Sequence, residues 1–400
     1  MKNTVQSVYE QRGVSSSKKD VHQATKDLNK GLYPGAFCKI MPDVLAGSSQ
    51  HCNILHPDTA GTKAGLAYLV WEVTHDLRAV RGIAIDALVM NLDDAGCVGA
   101  VDGFLVDQTI SRNAFLIPTE VVHAIIESAD DFCGWLRNLG IKCYFASGET
   151  ASVGDLARTL DVGSSVAVRM KRKDVVDASR MAPGNILVGF SSTGMASYEN
   201  RENSGIGSNG LTNARHDTLC SDYRKYRETY APQLKKKLVY RGKYKVGDQL
   251  PQDKRFLIWE ALLSPTRTYL PLIRLILANV NRRYITGIIH CSGGGQTKII
   301  NFGQKGNTYV KYNMFPVPPV FEMIQEASGA SWREMYEVFN MGHRLEMAVT
   351  DTKVARDIIA LSRSKNIETQ RVGEIIARAT PEQHNSVVIE SPQGAFRYPE

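Results

Sequence analysis

The sequence predicts a layered α/β protein with two domains. Its 400 residues exceed what one hydrophobic core usually serves, at roughly 100–200 residues per domain. Between residues 52 and 170, short stretches with strand periodicity alternate with longer stretches of helical periodicity, which is typical of helices packed on a sheet. With 43% hydrophobic and 22% charged residues, the composition is that of an ordinary globular protein.

The first half of the chain contains alternating strands and helices behind a polar arm. The predicted elements are strands at 53–55, 103–109, 142–146 and 165–170, and helices at 63–73, 78–90 and 118–139. Residues 1–50 are polar and rich in turn residues, so we expect a mobile arm followed by a glycine-containing loop.

The second half begins after a charged segment with proline and glycine at 171–185, which we interpret as a domain boundary. The predicted N-terminal domain covers residues 51–175, and the C-terminal domain covers residues 182–400. Its predicted elements are strands at 186–190, 285–290, 346–349 and 386–390, and helices at 271–281, 332–339, 353–364 and 372–379. The polar loop at 191–219 is too long for an ordinary connection, which favours a functional role.

The charge balance points to an anionic partner. A net charge of +7 and a pI near 8.9 fit nucleic acid and phosphorylated metabolites equally well. Much of the excess lies at 234–256, where Tyr240 and Tyr244 alternate with basic residues in a pattern that would suit nucleic acid. The alternative is a solvated surface insertion, and we favour it because no recognised nucleic-acid module surrounds the stretch.

Cysteine usage and hydropathy exclude several protein classes. Seven cysteines without a C-x-x-C pair argue against a disulfide framework and a four-cysteine zinc site, and predict reduced, mostly buried thiols. No apolar run approaches the ~18 residues of a membrane span. The first 13 residues also lack an apolar core of signal-peptide length. We therefore expect a cytoplasmic protein with no membrane partner.

The segment HPDTAGTKAG, at 56–65, combines an acid, hydroxyls, a glycine and a lysine after an apolar strand. A phosphate with its metal would use all of these: a carboxylate for the cation, hydroxyl and backbone N–H groups for the oxygens, and a lysine for the remaining charge. The order of residues differs from a Walker A loop. The alternative is an ordinary strand-to-helix turn capped by Asp58 or Thr59.

Three acids follow within DALVMNLDD, at 86–94. If this stretch is helical, spacings of seven and eight place Asp86, Asp93 and Asp94 on one face. Their mutual repulsion predicts a Mg²⁺ ion between them. The alternative is that Asp93 and Asp94 end a helix and face water.

Two further turns carry candidate chemistry. Within SGET, Glu149 is interpreted either as a buried acid poised on metal or substrate, or as a capping residue at a helix start. The turn GGGQTK, at 293–298, either binds phosphate through backbone N–H groups or simply packs closely, and close packing is the favoured interpretation.

Taken in order along the chain, these stretches resemble one known family. GV (13–14), GAFC (35–38), PDTAGTK (57–63), DALVMNLDD (86–94), SGETA (147–151), SSTGMAS (191–197), SNGLT (208–212), LSPTRTY (263–269), SGGG (292–295) and FNMG (339–342) are similar to motifs of phosphoribosylformylglycinamidine cyclo-ligases, the AIR synthetases. The resemblance covers nearly the whole chain. No single motif is decisive, but their shared order is highly specific.

The resemblance implies the AIR-synthetase-like fold of two α/β domains, in a homodimer whose strands pair into a central barrel. It implies ATP-dependent closure of formylglycinamidine ribonucleotide to aminoimidazole ribonucleotide in purine biosynthesis, with ATP and Mg²⁺ as cofactors and room for K⁺. The implied residues are Lys63, Asp94 and Glu149 for catalysis; Asp58, Thr59, Gly61, Thr62, Lys63, Gly148 and Thr150 for the nucleotide; Ser208, Asn209, Gly210, Gly293, Gly294 and Gly295 for the substrate; and Asp58, Asp86, Asp93 and Asp94 for metal.

The sequence departs from the family pattern near the substrate loop. Asp93 stands where the family usually has asparagine, and Gly207 stands where a histidine commonly precedes S-N-G. Insertions at about 196–206 and 221–256 flank the same loop. The alternative function is therefore another ATP-dependent phosphotransferase of the same superfamily that acts on a different small phosphorylated substrate.

Overall fold

The computed structural model describes residues 8–14, 23–378 and 384–399, and within them it confirms the α/β prediction. The helices are α1 Val8–Gln11, α2 Lys63–Thr74, α3 Arg78–Cys97, α4 Thr119–Asn138, α5 Leu211–Thr218, α6 Ile258–Leu262, α7 Leu270–Asn279, α8 Pro319–Ser328, α9 Trp332–Val338 and α10 Thr352–Arg363. The strands are β1 Met41–Pro42, β2 His51–Thr59, β3 Phe104–Arg112, β4 Cys143–Ser152, β5 Leu160–Lys171, β6 Ile186–Ser191, β7 Ile285–His290, β8 Asn307–Lys311, β9 His343–Val349, β10 Thr369–Ala377, β11 Ser386–Ser391 and β12 Gly394–Tyr398.

The first sheet has the strand order β1-β2-β5-β3-β4, with only β3 and β4 parallel. Helix α3 packs on β2 and β5, and α4 packs on β4. On the other face, Leu55, Ala167, Leu105 and Tyr144 pair in one row across four strands. Leu55, Leu105 and Tyr144 are 70%, 53% and 47% exposed, so the sheet presents an apolar row to solvent.

The second sheet has the order β12-β11-β8-β10-β6-β9-β7. Helices α7 and α10 pack with it in a shared apolar core. Neither sheet closes into a barrel within the described chain. Two short 3₁₀ turns, Arg172–Asp174 and Ala178–Arg180, lie at the predicted domain boundary between the sheets, and the division into two domains remains a prediction.

The predicted helix at 372–379 is wrong over the residues that the structure describes, because residues 372–377 belong to β10, and residue 379 lies outside the described chain. This strand lies between β8 and β6, and the missing side chain of Gly373 permits the close approach: a Cβ there would lie 1.9 Å from the carbonyl oxygen of Val310. Pairing with two neighbouring strands outweighs the helical spacing of the segment.

Helix α3 is longer than predicted, and this places the candidate acids inside it. It continues to Cys97, so Asp93 and Asp94 are buried helical residues. The alternative in which both end a helix and face water is therefore wrong.

The N-terminal arm and the second insertion are packed against the rest of the protein where the structure describes them. Residues 1–7 and 15–22 of the predicted arm lie outside the described residues, but Arg12 is buried and its Nη2 lies 2.5 Å from Oδ1 of Asp217. Tyr240 is fully buried, so it is not available to stack on nucleic acid. The thiol prediction is confirmed: all seven cysteines are free, and only Cys220 is partly exposed.

None of the helices in the described part of the chain combines the length and apolar character that a membrane span requires.

Candidate active site

The candidate site centres on the carboxylate of Asp94, in the last turn of α3. Its Oδ1 lies 2.7 Å from Nδ1 of His290, at the end of β7, and its Oδ2 lies 3.1 Å from Nε2 of His56 on β2. Asp94 is 6% exposed, and His290 is fully buried. One carboxylate therefore joins the first sheet, its covering helix and the second sheet.

His290 also connects Asp94 to Arg344 on β9. The Nε atom of Arg344 lies 3.1 Å from Nε2 of His290. Because a guanidinium can only donate, Nε2 must accept, and the imidazole proton lies on Nδ1, facing Asp94. Both ring nitrogens are thus occupied, so His290 orients Asp94 and is not a free base.

The pKa values of the two adjacent acids on α3 are shifted in opposite directions. Burial raises the pKa of Asp94, but hydrogen bonds from His290 and His56 outweigh it and hold the pKa well below its usual range. For Asp93, burial prevails and raises the pKa against hydrogen bonds from Thr268 and the N–H of Tyr269. Asp94 is therefore an ionised group available to a ligand, whereas Asp93 is held by its neighbours.

His56, Asp58 and Asp94 form a candidate cation site. Each places one ligand atom within 4.8 Å of the other two. One imidazole and two carboxylates suit a divalent cation, and Asp94 is already ionised. The structure thus brings together two of the predicted metal residues, and adds a histidine that the sequence reasoning missed. The signal was present, because residues two apart on a strand share one face.

The structure separates Asp86 and Asp93 from that group, contrary to the predicted convergence of three acids on one metal. Nζ of Lys63 lies 3.0 Å from Oδ1 of Asp86, and Thr266 donates to the same oxygen through its N–H and its hydroxyl. Asp86 is fully buried. The charge that was expected to come from Mg²⁺ is therefore supplied to Asp86 by a lysine.

Lys63 lies inside the protein and does not face the loop that precedes it. Besides Asp86, its ammonium donates to the carbonyl of Ser264 at 2.7 Å, and the residue has no exposed surface. Burial lowers the pKa of Lys63, although Asp86 opposes the shift. A direct phosphate contact from Lys63 would require this ion pair to open.

The loop between β2 and α2 has its own hydrogen bonds. The N–H of Thr59 donates to Oδ1 of Asp58 at 2.7 Å, and the N–H of Gly61 donates to Oγ1 of Thr59 at 3.1 Å. The hydroxyls of Thr62 and Thr212 lie 2.8 Å apart, which ties this loop to α5. Helix α2 has no side-chain cap, so the alternative in which Asp58 or Thr59 caps it is wrong.

The predicted substrate loop and the glycine turn lie next to each other. A Cβ at Gly293 would be 3.6 Å from the amide nitrogen of Asn209, and both Ser208 and Asn209 are half-buried. A Cβ at Gly294 would meet only Lys298, at 3.6 Å. The backbone at 293–294 is therefore open enough to approach a ligand held by the loop.

Two other predicted substrate glycines are required by packing. A Cβ at Gly210 would lie 2.3 Å from the ring of Phe339, and one at Gly295 would lie 2.5 Å from the carbonyl oxygen of Phe339. Both have positive φ angles, of 77° and 50°. The favoured interpretation of GGGQTK as a packed turn thus describes Gly295 but not its two predecessors.

The SGET residues lie apart from this cluster in the single chain. Gly148, Glu149 and Thr150 are exposed on β4, an edge strand that pairs only with β3. Glu149 lies within a strand, so its interpretation as a helix cap is wrong, and its side chain is exposed in the single chain; its role at metal or substrate stays a prediction. No described contact joins it to Asp94.

Two buried arginines near the loop have unpartnered N–H groups, and neither was predicted. Nη1 of Arg344 has no hydrogen-bond partner and lies 3.4 Å from where a Cβ of Gly207 would be. Nε and Nη1 of Arg215, on α5, are also unpartnered, and Gly65 leaves the space that Nη1 occupies. Arg344 and Arg215 are 2% and 6% exposed as whole residues. Buried donors of this kind are costly unless a ligand accepts from them.

No family model matches the chain, but individual curated proteins do. A phosphoribosylformylglycinamidine cyclo-ligase of Thermococcus gammatolerans is 30% identical over 285 residues, which cover 71% of this chain and 68% of that protein. The protein of the same name from Staphylococcus saprophyticus is 27% identical over 334 residues, or 82% of each chain.

Solved structures share the fold at low identity. Phosphoribosylformylglycinamidine synthase II of Thermotoga maritima matches 98% of this chain with a TM-score of 0.53 and 14% identity, and this chain spans about half of that one, 50%. AaThiL, complexed with AMPPCP and TMP, matches 96% of both chains with a TM-score of 0.52 and 11% identity. A HypE–HypF complex contains a chain that matches with a TM-score of 0.53 and 13% identity, covering 94% of this chain and 97% of that one.

Proposed function

Since the chain belongs to the phosphoribosylformylglycinamidine cyclo-ligase family, we propose that it converts formylglycinamidine ribonucleotide to aminoimidazole ribonucleotide with ATP, in purine biosynthesis. In this reaction ATP phosphorylates the formyl amide oxygen, the amidine nitrogen attacks the same carbon, and phosphate leaves. Catalysis of such a transfer depends mainly on positioning and on neutralising charge.

One observation carries the proposal: an ionised, buried Asp94 lies between the acid-bearing end of β2 and the glycine turn after β7. His56 and His290 hold its two oxygens. The turn at 293–294 in turn lies beside Asn209 of the substrate loop. Nucleotide and substrate would therefore meet at this carboxylate.

A divalent cation would be held by His56, Asp58 and Asp94, whose ligand atoms already lie within 4.8 Å of one another. When bound, Mg²⁺ would neutralise the phosphate oxygens of ATP. Asp94 keeps its negative charge because its pKa is lowered, and His290 holds the carboxylate in one orientation. K⁺ remains a prediction that monovalent salt dependence would test.

An anionic substrate would satisfy the unpartnered N–H groups of the two buried arginines. Nη1 of Arg344 is unpartnered and faces the loop at Gly207. Nε and Nη1 of Arg215 are also unpartnered, and this side chain lies next to Gly65 in the first turn of α2. Neither guanidinium has a carboxylate partner among the described residues. We assign Arg344 to an oxygen of the substrate and Arg215 to a phosphate near α2.

We also propose a homodimer formed through the exposed face of the first sheet. That face carries the row of Leu55, Leu105 and Tyr144, and β4 leaves one edge unpaired. Exposed apolar sheets with open edges are sites of strand pairing. Pairing of two such sheets would form the central barrel, and it would cover Glu149, which is exposed in the single chain.

ATP turnover tests this function most simply. Release of ADP by the purified protein should depend on added formylglycinamidine ribonucleotide and on Mg²⁺. Turnover that is indifferent to this substrate, but is stimulated by another phosphorylated metabolite, would favour the alternative phosphotransferase. The names of the relatives do not favour that alternative.

A further inference from the structure

A second cavity lies in the insertion at 221–256 and shares no lining residue with the Asp94 site. Its volume is about 650 Å³, within the range of small-molecule pockets. The lining cations are Arg158, Arg224, Lys225, Arg227 and Lys236, and the remaining lining residues are Tyr230, Pro232, Leu234 and Val239. Five positive charges thus surround one cavity whose lining contains no acid.

Two of the three arginines of this cavity, Arg158 and Arg224, are held in place by backbone carbonyls. The guanidinium of Arg158 donates to the carbonyls of Arg227 at 2.5 Å and Glu228 at 3.3 Å, which fixes the β4–β5 connection against the insertion. Nε of Arg224 donates to the carbonyl of Val239 at 2.8 Å. No described carboxylate forms an ion pair with any of the five cations. The orientation of Arg158 and Arg224 is therefore set, while none of the five charges is neutralised by a described carboxylate.

The wall behind the cations is formed by packed aromatic rings. Tyr230 donates its hydroxyl to the carbonyl of Arg224 at 2.8 Å, and its ring packs edge-on against Tyr240 at 5.9 Å. Tyr240 is fully buried and also packs against His216 at 4.7 Å. A buried aromatic cluster, not a solvated loop, thus supports the basic surface. This arrangement differs from a scattered set of surface lysines.

We infer that this cavity binds a small ligand with two or more linked phosphate groups. Five uncompensated cations in one cavity repel each other, and a single phosphate would leave most of that charge in place. The guanidiniums of Arg158 and Arg224, each held by a backbone carbonyl through part of its N–H groups, present their remaining planar donors to phosphate oxygens. Tyr230 offers a ring to the organic part of such a ligand. The site is independent of the proposed cyclo-ligase reaction.

Isothermal titration of the full-length protein with inorganic pyrophosphate tests the inference. The cavity variant is Arg227→Ala/Lys236→Ala. Its matched control is Lys237→Ala/Lys254→Ala, which removes the same charge from two exposed lysines of the same insertion that do not line the cavity. The titrations are repeated in an Asp94→Asn background, which weakens the candidate active site and leaves the cavity intact.

We expect the cavity variant to bind pyrophosphate at least about tenfold more weakly, the loss of one or two charge-assisted hydrogen bonds. The control should bind like the parent, and Asp94→Asn should not change the result. Titration with ATP identifies the source of the phosphates: a loss of ATP affinity in Tyr230→Ala, without a loss of pyrophosphate affinity, indicates a nucleotide.

Three outcomes would overturn the inference. Equal weakening of pyrophosphate binding in the control variant would indicate a general effect of surface charge and no specific binding site. Pyrophosphate binding that disappears with Asp94→Asn and persists in the cavity variant would place the ligand in the active site. A single-stranded oligonucleotide that binds more tightly than pyrophosphate, with a steep salt dependence, would identify a nucleic-acid surface.

Discussion

Nδ1 of His290 lies 2.7 Å from Oδ1 of Asp94, and neither side chain is open to solvent. This hydrogen bond spans 196 residues of sequence and joins β7 to α3. It brings the glycine turn of the second sheet to the acid of the first. The geometry of the candidate site therefore depends on one imidazole.

Variants of His290 test whether this residue acts by orienting the carboxylate of Asp94. His290→Ala should lower kcat by about 10- to 100-fold, as loss of a supporting partner of a ligand does. His290→Asn should recover much of the activity, because its amide can donate to Asp94 from the position of Nδ1. Steady-state kinetics with matched thermal melts would check this. Equal losses in the two variants would show that the ring is needed for packing alone.

Arg344 is expected to act on the substrate and not on ATP. Arg344→Met should raise KM for formylglycinamidine ribonucleotide by roughly tenfold or more, through loss of a charge-assisted hydrogen bond. KM for ATP should change little. Arg344→Lys keeps the charge but cannot reach His290, the carbonyl of Arg267 and a ligand together. A uniform loss of stability without a change in either KM would contradict this role.

Stability should fall on acidification because of His216. Burial, together with Arg215 and Arg12, lowers the pKa of His216 to about 2. The unfolded chain, with a pKa near 6.5, therefore binds the proton more readily. Stability is complete above about pH 6.5 and declines as the pH falls towards 2.

The matched variant for that effect is His216→Leu, which removes the titrating ring and loses only the long hydrogen bond from the N–H of Tyr240 to Nδ1, at 3.5 Å. Between pH 6.5 and 5 the parent should lose about 2 kcal/mol more unfolding free energy than the variant. Urea denaturation at both pH values would measure the difference. Parallel curves would show that His216 accepts its proton in the folded state.

A charged residue introduced on the exposed face of the first sheet should dissociate the proposed dimer. Leu105→Glu places a carboxylate in the row between Ala167 and Tyr144 without disturbing the buried face of β3. Light scattering should then report a monomer near 44.2 kDa, where the parent reports twice that mass. Asp130→Ala, at an exposed position of α4, is a control that should remain dimeric. A parent that is monomeric at micromolar concentration would rule out the barrel.

Local periodicity identified most elements, because it records which face of each segment is buried. The strand at 285–290 and the helix from Lys63 agree closely with the structure. β10 was missed because the helical spacing of its apolar residues was outweighed by pairing with β8 and β6, where Gly373 allows a close crossing. Such an approach is a tertiary property.

The site was predicted in part for a similar reason. Asp58 and Asp94 could be inferred from an acid-bearing turn and an acidic helix. His56 could have been found from its place two residues before Asp58 on β2, but His290, which also holds Asp94, depends on a contact across 196 residues. The pairing of Lys63 with Asp86 likewise removes a lysine from the loop that the sequence suggested. Long-range contacts of this kind leave no periodic signal.

The central claim is tested most directly by product formation. Purified protein is incubated with formylglycinamidine ribonucleotide, ATP and Mg²⁺, with and without K⁺, and aminoimidazole ribonucleotide is followed by diazo coupling. We predict that the product forms only when ATP and substrate are both present, and that Asp94→Asn reduces its rate by about a hundredfold while the protein stays folded. ATP binding without aminoimidazole under any of these ionic conditions would contradict the cyclo-ligase assignment.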